Sequence, residues 1–156
     1  MIPDHAPMEL FDQVRSVLKF KGGDIWSVPP RVSVYDAIAM MSEKRVGALP
    51  VMEDEKLVGI ISERDYARRV ILKGRSSKDT QVAEIMTSPV FYVSPEATVE
   101  GCMRIMTVNR VRHLPVLEDG KLVGIVSIGD LVNWIISAQA DAINQLNSYI
   151  AGKYPG

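Results

Sequence analysis

The sequence predicts an α/β fold made of two βαββα repeats, packed by pseudo-two-fold symmetry into one module with flanking N- and C-terminal helices. Three observations carry this. Sliding the 156-residue chain by 65 positions superimposes 25–71 on 90–136 without a gap, and about 19 of the 47 pairs are identical. Within each copy the apolar period changes from helical to alternating and back. One copy, with about three short strands and two helices, has too little apolar surface to bury its sheet alone, whereas two together can.

The elements follow in order. A helix over 8–20 carries Leu10, Phe11, Val14, Val17 and Leu18 on one face. Short strands at 25–28 and 90–93 run into Pro30 and Pro95. Helices then start at Ser33 and Thr98, both able to act as N-caps, with Val34, Ala37, Met40 and Met41 at helical spacing. Strands at 48–52 and 57–61 flank a turn at 53–55. The Glu118-Asp119-Gly120-Lys121 turn of the second copy is the stronger hairpin signal. A second helix begins near Ser62 and Ser127, and a polar connector over 73–80 separates the copies. The domains are therefore expected at 8–72 and 81–137, with a helical extension over 138–156. Along 131–150, Val132, Ile136, Ile143, Leu146 and Ile150 form an apolar stripe, which suits either the module's own core or a helix of a second chain.

Composition narrows the function. Hydrophobic residues make up 47%, charged residues 24%, and the net charge is -1. No basic field is present to hold nucleic acid or an anionic membrane. One cysteine and two histidines, His5 and His113, give no disulfide framework and no metal centre. The N-terminus lacks the pattern of a signal peptide, and no apolar run approaches the roughly 18–20 residues that span a bilayer. A soluble, cytoplasmic protein is expected.

The chemistry-bearing motif is Ser62-x-x-Asp65, repeated as Ser127-x-x-Asp130. Such a motif before a helix is a capping-box signature. It also sits where a strand turns into a helix with outward N–H groups, a place that suits phosphate, and its carboxylate can accept hydrogen bonds from both hydroxyls of a ribose. Between these residues the copies diverge: Glu63-Arg64 stands against Ile128-Gly129, and Gly47-Ala48 against Arg112-His113. Arg64 offers a forked donor for phosphate, or faces solvent at an exposed helix start. Gly129 lets a ligand approach the backbone. His113 is either a phosphate contact or a surface strand histidine.

These residues resemble the cystathionine-beta-synthase (CBS) domain. The likeness rests on Gly59-Ile60-Ile61-Ser62-Glu63-Arg64-Asp65, on Gly124-Ile125-Val126-Ser127-Ile128-Gly129-Asp130, on Ile85-Met86-Thr87-Ser88-Pro89 and on the Leu-Pro-Val strands. It covers about 17–136, and the chain looks like a stand-alone bacterial-type tandem. The resemblance implies two clefts for adenosyl ligands: AMP, ADP, ATP, S-adenosylmethionine or, in some members, NAD or NADH. It assigns ribose to Asp65 and Asp130, and phosphate to Ser62, Arg64, Ser127, Gly129, Arg112 and His113. The adenine slot falls to Gly22, Gly23, Asp24, Gly47, Ala48, Met86, Thr87, Ser88 and Val111. It further implies a homodimer shaped as a flat disc, and a protein partner that reads the signal. Because the copies differ at these positions, the two sites should not be equivalent.

Catalysis is not expected. Cys102 aligns with Ala37 and reads as a small core residue. No phosphate-binding glycine loop, carboxylate pair or metal cluster appears. The alternative to a sensor is a constitutive scaffold whose clefts stay empty.

Overall fold

The computed structural model describes residues 8–153, with His5 outside them. A 3-10 turn at Met8–Phe11 leads into α1 (Val14–Lys21). The first repeat continues with α2 (Val34–Lys44), β1 (Ala48–Glu53), β2 (Lys56–Ser62) and the short α3 (Glu63–Tyr66), which widens into a π-helical turn at Ala67–Ile71. The second repeat holds α4 (Val82–Ile85), α5 (Val99–Asn109), β3 (His113–Glu118), β4 (Lys121–Ser127) and α6 (Ile128–Lys153). The α/β repeat is thus present, each copy a β-hairpin with its helices.

Local chemistry accounts for the boundaries. Ser33 accepts the amide of Asp36, and Thr98 accepts that of Gly101, so both expected N-caps form. Both following helices end on an arginine in the left-handed region, Arg45 and Arg110. The hairpins close on Asp54-Glu55 and Asp119-Gly120, all with positive φ, as a type I′ turn requires. β1 and β2 pair antiparallel from Ala48↔Ser62 to Glu53↔Lys56, with a bulge after Val51.

One expected element shrinks. The strand at 25–28 reduces to a single bridge, in which the Val28 amide donates to the Pro50 carbonyl and the Met52 amide to Val28. The consecutive Pro29 and Pro30 have no amide hydrogens to extend the pairing. In the other copy Val93 likewise makes only one bridge position.

The chain forms two compact units that do not follow the repeat boundaries. Unit 1 comprises 8–23, 93–114 and the residues from 126 onward; unit 2 comprises 24–92 and 115–125. In unit 2 the buried core joins Val34, Ala37 and Met41 of α2 to Leu49, Val51 and Ile61 of the hairpin, with Val82 and Ile85 of α4. In unit 1, α6 packs on α1 and α5, and Val14, Val17, Val99, Cys102, Met106 and Leu131 are buried. Cys102 therefore fills a core position. Burial pushes its thiol up to about 11, far from the range of a nucleophile.

On α6, Val132, Ile136, Ile143 and Leu146 are exposed. The side chain of Ile150 lies outside those described. No helix among the described residues is long and apolar enough to cross a membrane.

Candidate functional site: two carboxylates at the strand ends

In unit 2, β2 ends at Ser62 and turns into α3. Asp65 sits at the third position of that helix, so its carboxylate reaches back to the cap. The Ser62 amide donates to Asp65 Oδ2 at 2.9 Å, the Ser62 hydroxyl to the same oxygen at 3.0 Å, and the Asp65 amide to Ser62 Oγ at 3.2 Å. This is a complete capping box. Its other carboxylate oxygen, Oδ1, accepts the hydroxyl of Thr87 at 3.2 Å.

Thr87 belongs to the lead-in segment of the second repeat. It is pinned beside β2 by two bonds with Ile60, at 3.1 and 2.8 Å. Arg69, on the π-helical turn, secures the same segment by donating to the carbonyls of Ile85 at 2.9 Å and Met86 at 3.3 Å. The Glu63 amide donates to Gly47, and Ala48 pairs across the hairpin with Ser62, so both strand-entry residues stand beside the motif. Arg64 is half-buried next to it. Unit 2 thus brings Ser62 and Thr87 onto the Asp65 carboxylate, with Gly47, Ala48, Arg64 and Met86 on the adjoining backbone. Ser88 follows Thr87 and is exposed.

Gly59 is where this segment comes closest. A Cβ built there would overlap Met86 Sδ and lie 3.3 Å from Met86 Cβ. The thioether can swing away, but the Met86 Cβ is held by the bonds on either side. Gly59→Ala is therefore expected to cost about 1–3 kcal/mol by overpacking, read as a lower urea midpoint at unchanged m-value. An unchanged midpoint would show that the segment yields freely.

In unit 1 the same geometry recurs at Asp130. The Ser127 amide donates to Asp130 Oδ2 at 2.9 Å, and the Asp130 amide to Ser127 Oγ at 3.0 Å. The Ile128 amide donates to the Arg112 carbonyl, which sets Arg112 and Val111 beside the motif. The third partner, however, is a cation: Lys21 Nζ donates to Asp130 Oδ2 at 2.8 Å. Lys21 is the last residue of α1. That helix spans eight residues, whereas its counterpart α4 spans four. The longer helix places an ammonium beside Asp130, where unit 2 offers a hydroxyl to Asp65.

Trp134, at the repeat position of Arg69, ties down this lead-in as well. Its Nε1 donates to Asp12 at 2.9 Å, and its ring meets Phe20 edge-on at 5.4 Å between centroids. Gly22 and Gly23 follow with positive φ and open space where a Cβ would stand. Asp24 falls in unit 2 and is exposed. A Cβ at Gly129 would make only ordinary contact with Ser127.

His113 starts β3 within the field of Asp130, Lys21 and Arg112. Burial holds its imidazole below the usual range; Asp130 opposes this, and Lys21 and Arg112 reinforce it. The sign follows by linkage. An unfolded histidine of ordinary pKa, about 6.5, binds a proton that folded His113 resists. Stability present above that pKa is therefore lost as pH falls through it toward the folded value. Melting temperature is expected to fall between pH 7.5 and 5.5, and less steeply in His113→Asn. Equal slopes in the two proteins would assign the acid lability elsewhere.

Sequence reasoning overlooked Arg69 and Trp134, and placed Lys21 only within the lead-in segment 21–24 beside the adenine candidates, with no role of its own. Lys21 had a signal: the lead-in segments 21–24 and 86–89 stand against each other just ahead of the gapless repeat, and there a charge faces the apolar Met86. Arg69 and Trp134 had none, because the repeat pairs two dissimilar residues there.

The comparisons with known proteins agree with this architecture. The family model "CBS domain" matches residues 21–72 and 82–137. The chain is 46% identical over 127 residues to the CBS domain-containing protein CBSX3, mitochondrial, of Arabidopsis thaliana; the match covers 78% of this chain and 62% of that protein's length. Among solved structures, a protein with CBS domains from Burkholderia ambifaria is 50% identical, with a TM-score of 0.78 over 82% of this chain and 96% of that one. The CBS domain pair of protein MJ0100, in complex with 5′-methylthioadenosine and S-adenosyl-L-methionine, shares the fold at 22% identity and TM-score 0.73, over 82% of this chain and 98% of that one. Repeat, hairpins, capped carboxylates and family match converge, and the chain belongs to the CBS domain family as a tandem CBS pair.

Proposed function

We propose that this chain is a non-catalytic regulatory module that senses an adenosyl ligand, AMP, ADP or ATP in the first instance and NAD or NADH as further candidates. The observation that carries the reading is the recurrence of one geometry. In each unit an aspartate is held at 2.9 Å by the amide of a strand-end serine and meets the lead-in segment of the other repeat. Capping alone needs no partner from the other repeat. A site for a ribose diol does, because it needs a wall opposite the carboxylate. The adenosyl compounds bound by the MJ0100 pair support the same ligand class.

On this reading Asp65 and Asp130 accept the ribose hydroxyls. Ser62, Arg64, Ser127, Gly129, Arg112 and His113 lie toward the phosphate, and the strand entries and lead-ins border the adenine. The working domains are 8–72 and 81–137. The exposed stripe of Val132, Ile136, Ile143 and Leu146 supports a homodimer, and the output passes to a protein partner.

Selective binding to the folded state raises the melting temperature. A thermal-shift series with AMP, ADP, ATP, NAD, NADH and S-adenosylmethionine is expected to show a rise for at least one. No rise with any at millimolar concentration would leave the scaffold reading in its place.

A further inference from the structure

We infer that Arg69 is a positioning residue of the Asp65 site: it holds the lead-in that carries Thr87 and so sets that site's affinity without touching the ligand. This rests on the adenosyl reading above and adds to it a residue outside the ligand-facing set.

Thr87 is held on the sheet by an isolated antiparallel bridge with Ile60, at 3.1 and 2.8 Å. Such a bridge fixes a separation and leaves a pivot. Beyond it, Ser88 is exposed and Pro89 has no amide hydrogen to extend the pairing. Before it, α4 ends at Ile85 after four residues, and its last carbonyls find no partner within the helix. The Arg69 guanidinium spans them, donating to Ile85 at 2.9 Å and to Met86 at 3.3 Å. A second anchor removes the pivot, and Thr87 Oγ then stands at 3.2 Å from Asp65 Oδ1.

Unit 1 places a tie at the matching position with different chemistry. Trp134 stands 65 residues after Arg69, donates to Asp12 at 2.9 Å and meets the ring of Phe20 edge-on. Phe20 stands 65 residues before Ile85, and the residue after it, Lys21, bonds Asp130. A guanidinium and an indole share no packing preference, so their common place reflects the segment they hold. The backbone is adapted to the first of them: Arg69 lies at the centre of the π-helical turn 67–71, whereas the stretch around Trp134 stays α-helical.

A ribose set between Thr87 and Asp65 binds more tightly if that wall is already ordered, because ordering it on binding costs affinity.

The test uses the full chain, in which Arg69 is exposed. Circular dichroism and urea midpoints verify each variant's fold. In the ligand-free protein, Arg69→Met should speed amide exchange of Thr87 by at least about tenfold. Trp134→Phe, which acts in the other unit, should leave that amide unchanged. Calorimetric titration with the six compounds of the thermal-shift series, in an Asp130→Ala background, should show binding about fivefold weaker in Arg69→Met. Arg69→Lys should restore both readings, because an ammonium can donate to the same carbonyls. Thr87 exchange unchanged by Arg69→Met overturns the inference, and so does faster exchange with no loss of affinity. Equal quickening by Trp134→Phe marks a general loosening and overturns it also. If none of the six compounds binds the unmodified chain, the adenosyl reading falls and takes the affinity claim with it, while Thr87 exchange still decides whether Arg69 anchors the lead-in.

Discussion

Replacing Asp65 by alanine is expected to weaken adenosyl-ligand binding at the first site by more than about 100-fold, at a stability cost of only about 1–2 kcal/mol. The two numbers have different sources. On the proposed reading, two charge-assisted hydrogen bonds to ribose hydroxyls, worth about 1.5–3 kcal/mol each, would disappear with the carboxylate. The folded chain loses only the reciprocal half of the capping box, since Ser62 Oγ still accepts the helix amide that it accepts at 3.2 Å. Thr87 loses an acceptor but is half-buried and within reach of water.

Asp65→Asn separates the two roles further. It keeps an oxygen for the Ser62 amide and removes the charge that the ribose would use, so stability should recover more than affinity does. Calorimetry on both variants, with urea denaturation alongside, checks this. If affinity fell only in proportion to stability, Asp65 would be a helix cap and nothing more. The corresponding Asp130→Ala change should leave the first site untouched.

Leu49→Ala is expected to lower stability by about 2–5 kcal/mol, a large part of the roughly 5–15 kcal/mol that holds a domain of this kind. Leu49 is 1% exposed and lies across the hairpin from Ile61, which is fully buried. Both belong to the cluster that joins α2, the hairpin and α4. Truncation removes the transfer free energy of the lost carbons and leaves a cavity that so well-anchored a hairpin cannot close. The comparison variant is Leu146→Ala on α6. That side chain is 58% exposed, and its loss should change monomer stability by less than about 0.5 kcal/mol. Urea midpoints for the two variants read the contrast directly. A Leu49→Ala cost below about 1 kcal/mol would place the core of unit 2 elsewhere.

The readable part of this protein was the part written by local chemistry. The N-caps at Ser33 and Thr98, the hairpin turns and the capped aspartates depend on residues within four positions of one another or on side-chain alternation along one strand, and the repeat shows itself by sliding the chain on itself. The short strand at 25–28 was over-read because the alternation continued while Pro29 and Pro30 removed the donors. The helix over 8–20 was found, but its division into a 3-10 turn and α1 was not.

The fold class and the two strand-end carboxylates are legible in the sequence because short-range pattern sets them, and the duplication because it repeats that pattern 65 residues on. What faces those carboxylates comes from tertiary packing. Thr87 reaches Asp65 from 22 residues away, and Lys21 reaches Asp130 from 109. Contacts at such separations come from how lead-in segments are laid against hairpins of the other repeat, and no local periodicity encodes that. One extra turn on α1 then sets an ammonium beside Asp130, where Asp65 meets a hydroxyl.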